Sequence, residues 1–220
     1  MSRITKRQMK EDTFVSSMLR AWEWVRGHER MLFIGLIGVA IVVALVAWGA
    51  YARRQSHERA AATFADAVMT FRTGDLKTAE DLFAMVVKQY GGTPEGAYAE
   101  YFTGKCALES GRNLDAVQAF DRYLSRAGKY PFFRDAAMEG KAVALGNEHR
   151  YREAADTYVE LAAKTKTNDF MKTTYLRRAA ANMRFANETQ RAIELLSGLL
   201  DTATGTDRRD IEIELEILKG

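Results

Sequence analysis

From Met31 to Tyr51 the chain reads MLFIGLIGVAIVVALVAWGAY, twenty-one residues without a charge. A helix packed in a protein core keeps one polar face, and this run has none, so it predicts a helix apolar on every side. At 1.5 Å per residue it would be about 31 Å long, the thickness of a bilayer's hydrocarbon layer. Ala50-Tyr51-Ala52 resembles a signal cleavage site. A signal's apolar region, however, is about 7–15 residues long behind a short basic segment, and here thirty residues come first. The expectation is one membrane-spanning helix over residues 31–51, with Trp48 and Tyr51 at interfacial depth.

Before that run the spacing is different. Phe14, Val15, Met18, Leu19, Trp22 and Val25 fall three and four residues apart with charges between them. This predicts an amphipathic helix in a tail of residues 1–30. It either lies on the inner membrane face and docks a membrane partner, or simply extends the spanning helix inward.

After residue 55 the pattern repeats. GDLKTAEDLF, GRNLDAVQAF, HRYREAADTY and ETQRAIELLS align on Ala79, Ala116, Ala154 and Ala192, which lie 37, 38 and 38 residues apart. Four residues on comes a bulky position: Phe83, Phe120, Tyr158 and Leu196. Twelve residues back comes a small one: Ala67, Gly104, Ala142 and Ala180. Small residues on two helices let their backbones approach, and the bulky residue one turn later fills the gap toward the next pair. Pro94 and Pro131 each stand fifteen residues after their Ala, where a new helix would start. Gly74 and Gly111 mark turns, with Asn147 and Asn187 in the corresponding regions. The expected fold is all-α: four helical hairpins over residues 52–205, closed by a capping helix over 206–220. In that cap Ile211, Leu215 and Leu218 share a face. The alternation in DIEIELEI also allows a strand or an acidic contact edge.

At these positions the chain resembles the tetratricopeptide repeat family, from about Ser56 to Thr202. The early Trp of that consensus is absent, Thr70 and Ala107 stand where Tyr is common, and the period is three or four residues longer. The extra length falls at YGGTPEG, AGKYPFF and TKTNDF. With the tail and spanning segment included, the arrangement resembles the bacterial translocon-ancillary inner-membrane proteins with periplasmic tetratricopeptide domains.

The resemblance implies partner binding along a groove lined by the first helices of the hairpins. Aromatic residues are enriched at such contacts. Tyr98, Tyr101, Phe102, Tyr130, Phe132 and Phe133 are therefore candidate contacts, joined by Phe14, Met18 and Trp22 of the tail. The alternative is that most of the repeat-domain rings pack between hairpins.

Charge narrows the choice of partner. The first thirty residues hold seven Lys/Arg against four Asp/Glu, and the remainder holds 25 of each. A neutral repeat domain lacks the basic face that nucleic acid requires. The basic tail favours a cytoplasmic N-terminus and a periplasmic repeat domain. Nothing suggests an enzyme, a cofactor, a metal or a small-molecule substrate: no phosphate loop, nucleophile elbow or paired metal-ligand spacing occurs. Cys106, the only cysteine, reads as a small buried residue, and Glu148 with Arg152 reads as a surface helix pair.

The expected function is a scaffold anchored in the bacterial inner membrane. It would serve as an accessory, structural or assembly subunit of a larger membrane complex, respiratory and photosynthetic complexes among them. Its partners would be membrane proteins of that complex and the lipid bilayer. The alternatives are a translocon-associated chaperone helper and a homo-oligomeric organiser using Ala40, Ala44 and Ala47 as a helix face.

Overall fold

The computed structural model describes residues 18, 19, 22, 24, 26–165, 169–201 and 203–219. The chain divides into two compact units, Met1–Gln55 and Ser56–Gly220. Among the described residues there is no strand.

Of the expected amphipathic tail, Met18, Leu19, Trp22 and Trp24 are described; all are helical and exposed. Phe14 lies outside the described residues. Helix α1 spans Glu29–Arg72 and takes in the whole uncharged run. Thirteen large apolar side chains between Met31 and Tyr51 are exposed.

The second unit is a succession of antiparallel pairs. The later part of α1 pairs with α2 (Leu76–Tyr90), and α3 (Pro94–Glu109) with α4 (Asn113–Arg126). A single 3₁₀ turn, Pro131–Phe133, leads into α5 (Arg134–Asn147), which pairs with α6 (Tyr151–Lys164). Then α7 (Asp169–Phe185) pairs with α8 (Thr189–Leu200), and α9 (Gly205–Lys219) packs on α8. The insertion at TKTNDF falls partly outside the described residues.

Three of the four turns within pairs close in the same way. The N–H of Arg112 donates to Ala107 O (2.8 Å) and that of Gly111 to Leu108 O (3.0 Å). Arg150 with Leu145 and His149 with Gly146 repeat the pattern, as do Glu188 with Met183 and Asn187 with Arg184. These paired bonds satisfy the last carbonyls of each first helix and require a left-handed residue at the turn. That residue is Gly111 (φ 73°), His149 (φ 59°) or Asn187 (φ 60°); Gly74 (φ 87°) serves the first turn. The third turn therefore rests on His149 and not on Asn147, which still belongs to α5. The same break parts Glu148 from Arg152: Arg152 bonds Glu188 of the next pair, 36 residues on, and is no neighbour of Glu148 on one helix.

All twelve repeat positions are buried: Ala67, Ala79, Phe83, Gly104, Ala116, Phe120, Ala142, Ala154, Tyr158, Ala180, Ala192 and Leu196. A further position, seven residues after each marked Ala, is buried in every pair: Val86, Tyr123, Leu161 and Leu199. The apolar core is a chain of joints, each shared by neighbouring pairs. One holds Phe83, Val86 and Cys106, the next Phe120, Tyr123 and Leu145, and the next Tyr158, Leu161 and Tyr175. The last brings Leu196 and Leu199 against Ile211 and Leu215 of α9. Each pair would expose one apolar flank alone, so stability comes from stacking.

Candidate partner-binding surface

The candidate rings cluster where the first three pairs meet. Tyr101 on α3 stacks flat on Phe133 at 4.5 Å, and Phe102 stacks on Phe83 of α2 at 5.1 Å. Phe64 and Phe71 of α1 meet Phe102 edge-on at 5.6 and 5.7 Å. Tyr98 stands over the edge of Phe133 at 5.2 Å.

Burial sorts these rings. Tyr101 is 9% exposed, so it is a core residue and is corrected from a contact. Phe102 and Phe133 are half-buried, meet edge-on at 5.5 Å and pack between pairs. Tyr130 is half-buried, and its hydroxyl donates to the Gly92 carbonyl at 3.0 Å. Its own carbonyl accepts the Tyr123 hydroxyl at 2.7 Å, and that same hydroxyl accepts the Phe133 N–H at 2.8 Å. What remains open is Phe132, 77% exposed, with half-buried Tyr98 at 6.1 Å. Phe132 is turned outward because Pro131–Phe133 is one tight turn that commits Phe133 to the core. Met18 and Trp22 are exposed on the first unit.

A polar clamp holds this region. Arg126, near the end of α4, reaches back to the loop before α3. One nitrogen pairs with Glu100 at 3.2 Å and another donates to the Gly91 carbonyl. Glu100 is 8% exposed. Periodicity does not show this clamp, because Arg126, Glu100 and Gly91 hold no repeat position.

Further along, ion pairs join neighbouring repeats at about one period. Arg178 pairs with Glu139, Arg177 with Glu214 at 2.5 Å and with Asp210 at 3.7 Å, and Arg191 with Asp156 at 3.3 Å. These pairs bridge neighbouring repeats at the surface. Between α7 and α9 lies a cleft of about 190 Å³ lined by Ala180, Ala181, Leu196 and Ile217. It opens where the bulky position holds Leu196, whereas the other three pairs place a ring there.

Chemistry is muted throughout. Among the described residues no group of three or more His, Cys, Asp or Glu is placed to hold a metal. Cys106 is buried, and burial pushes its thiol up to about 12, with Glu80 and Glu109 adding to the rise. Burial likewise raises the phenols of Tyr101, Tyr123, Tyr158 and Tyr175. The folded chain keeps these protons at a pH where the unfolded chain has released them. Their contribution to stability is complete below the ordinary thiol value of 9.0 and is lost as pH rises toward 12. The urea midpoint is expected to hold from pH 7 to about 8.5 and to fall progressively above pH 9. Far-UV circular dichroism at fixed ionic strength measures it, and a midpoint unchanged at pH 11 contradicts this account.

Comparison with known proteins agrees with the architecture. No curated protein matches the chain. Among solved structures, the nearly identical TPR-like repeats from a Podosopora anserina chain named for a kinesin light chain superpose with a TM-score of 0.56. Identity is 18%, over 73% of this chain and 85% of that one. A methionine-substituted form of the same repeats gives 0.56 and 18%, over 73% and 84%. At such identity the likeness concerns the fold. The family model described as "Tetratricopeptide repeat-like domain" matches residues 22–137, more than half of the chain. The chain belongs to the tetratricopeptide repeat-like domain family.

Proposed function

We propose that this chain is a membrane-anchored protein-interaction scaffold, an accessory, structural or assembly subunit of a larger inner-membrane complex. The carrying observation is the exposed run from Met31 to Tyr51. Burying one large apolar side chain is worth about 1.5–3 kcal/mol, so thirteen left in water forgo on the order of 20 kcal/mol or more. That exceeds the roughly 5–15 kcal/mol that holds an ordinary domain together. A bilayer covers such a helix on all sides without demanding a matching partner face. The family match begins at residue 22 and so takes in this run together with the first pairs.

In this reading the basic tail stays in the cytoplasm and the repeat domain is periplasmic. The exposed Phe132 with Tyr98 offers an aromatic anchor to a protein partner, and Met18 and Trp22 offer a second contact on the tail side. Tethering raises the effective concentration of both surfaces near membrane partners.

The test is affinity isolation of the full chain in mild detergent with mass spectrometry, alongside protease treatment of spheroplasts. One stoichiometric membrane complex supports the subunit reading. A spread of exported clients with translocon components replaces it with the chaperone-helper reading. Recovery of the chain alone, or extraction from membranes by alkaline carbonate, overturns the proposal. A protease-protected repeat domain reverses the orientation.

A further inference from the structure

Helix α9 has two apolar faces. Ile211 and Leu215 are buried against α8. Ile213 and Ile217, one turn apart, point away from that packing and are 48% and 62% exposed. Half of the charges on α9 are engaged within the chain: Asp210 and Glu214 with Arg177, and Arg208 with Glu212 at 3.0 Å. Two exposed charges on the outward face are different. Arg209, one turn before Ile213, and Glu216, one turn after it, make no ion pair among the described residues. Seven residues of helix separate them by about 10.5 Å, too far to meet each other.

This face is complementary to itself in one arrangement only. We propose that α9 pairs with α9 of a second copy of this chain, antiparallel about a two-fold axis near Ile213. Antiparallel pairing brings each Arg209 opposite Glu216 of the other copy, twice by symmetry, and the two Ile213 side chains meet between them. Parallel pairing would set Arg209 against Arg209 and Glu216 against Glu216, so the charge order selects the antiparallel form. A pair of fifteen-residue helices buries less than the roughly 1,200 Å² of a stable interface. The pairing is therefore weak and depends on local concentration.

The purified full chain in mild detergent provides the test. Cys106 is the only cysteine and is buried, so an I213C variant carries one accessible thiol at the proposed axis. Copper-phenanthroline oxidation is expected to yield a covalent dimer. M69C, at a position 60% exposed on α1, serves as the control for random encounter. In the I213C background, R209E or E216R each converts two attractive pairs into like-charge contacts and lowers dimer yield about tenfold. R209E combined with E216R restores the pairs with their signs exchanged and recovers the yield. Equal dimer in I213C and M69C, no dimer in either, or no recovery in the double variant overturns the proposal.

Discussion

Phe120→Ala is expected to cost the repeat domain about 3–5 kcal/mol and to split its unfolding into two transitions. Phe120 is fully buried on α4 and forms the joint between the second and third pairs. Its ring lies in a slot between two glycines. A Cβ added at Gly104 of α3 would come within 2.7 Å of the ring, and one at Gly140 of α5 within 2.6 Å. Neither glycine has a side chain that could move into the space left by alanine, so the cavity persists and the full cost is felt. In a stacked array each pair is stabilised mainly by its neighbours, so loss of one joint uncouples the two ends. Gly140→Ala presses on the same ring from the other side and is expected to cost about 1–3 kcal/mol. Combined with Phe120→Leu, it should cost less than the two changes summed, because the smaller side chain yields to the new methyl. Urea unfolding followed by circular dichroism measures all three. A Phe120→Ala cost below about 1 kcal/mol, with one transition retained, contradicts the slot geometry.

The same slot shows how far the sequence could be read. Gly104 and Phe120 hold repeat positions, and a residue type recurring at 37 or 38 residues is visible without coordinates. Gly140 touches the same ring but lies two residues off that register, beside Ala142, and periodicity passes over it. The all-α stacked fold was legible because each pair restates it. The face of each aromatic ring was not, because Tyr98, Tyr101, Phe102, Phe132 and Phe133 fall in two short stretches where adjacent residues point different ways. Pro131–Phe133 sends Phe133 inward and Phe132 outward, a split made by backbone geometry that composition does not encode. His149 escaped for a related reason. The left-handed conformation is common in asparagine, which favours Asn147 on residue type alone, but the hydrogen bonds from His149 and Arg150 back to α5 place the turn two residues later.

Arg126→Ala is expected to destabilise the domain by about 2–3 kcal/mol, and most of that loss comes from the carboxylate left behind. Breaking a buried ion pair by removing one partner typically costs about 3–5 kcal/mol. Here Arg126 keeps 26% of its side chain in solvent, so screening discounts the figure. Glu100 is far more enclosed, and its second oxygen has no hydrogen-bond partner among the described residues. Without the guanidinium it is a buried charge with nothing facing it, and the Gly91 carbonyl loses its donor as well. Arg126→Lys retains the charge but cannot reach Glu100 and Gly91 together, and is expected to recover about half the loss. Combining Arg126→Ala with Glu100→Gln replaces the stranded charge by a neutral amide and should recover more than the lysine does. A double-mutant cycle by urea unfolding isolates the coupling, and hydrogen exchange at Gly92 and Thr93 reads the loosened loop directly. The two single changes adding without coupling would mean that the clamp carries no stability. In that case the second pair's hold on this loop passes to the Tyr130 hydroxyl on Gly92, and Tyr130→Phe becomes the change that loosens it.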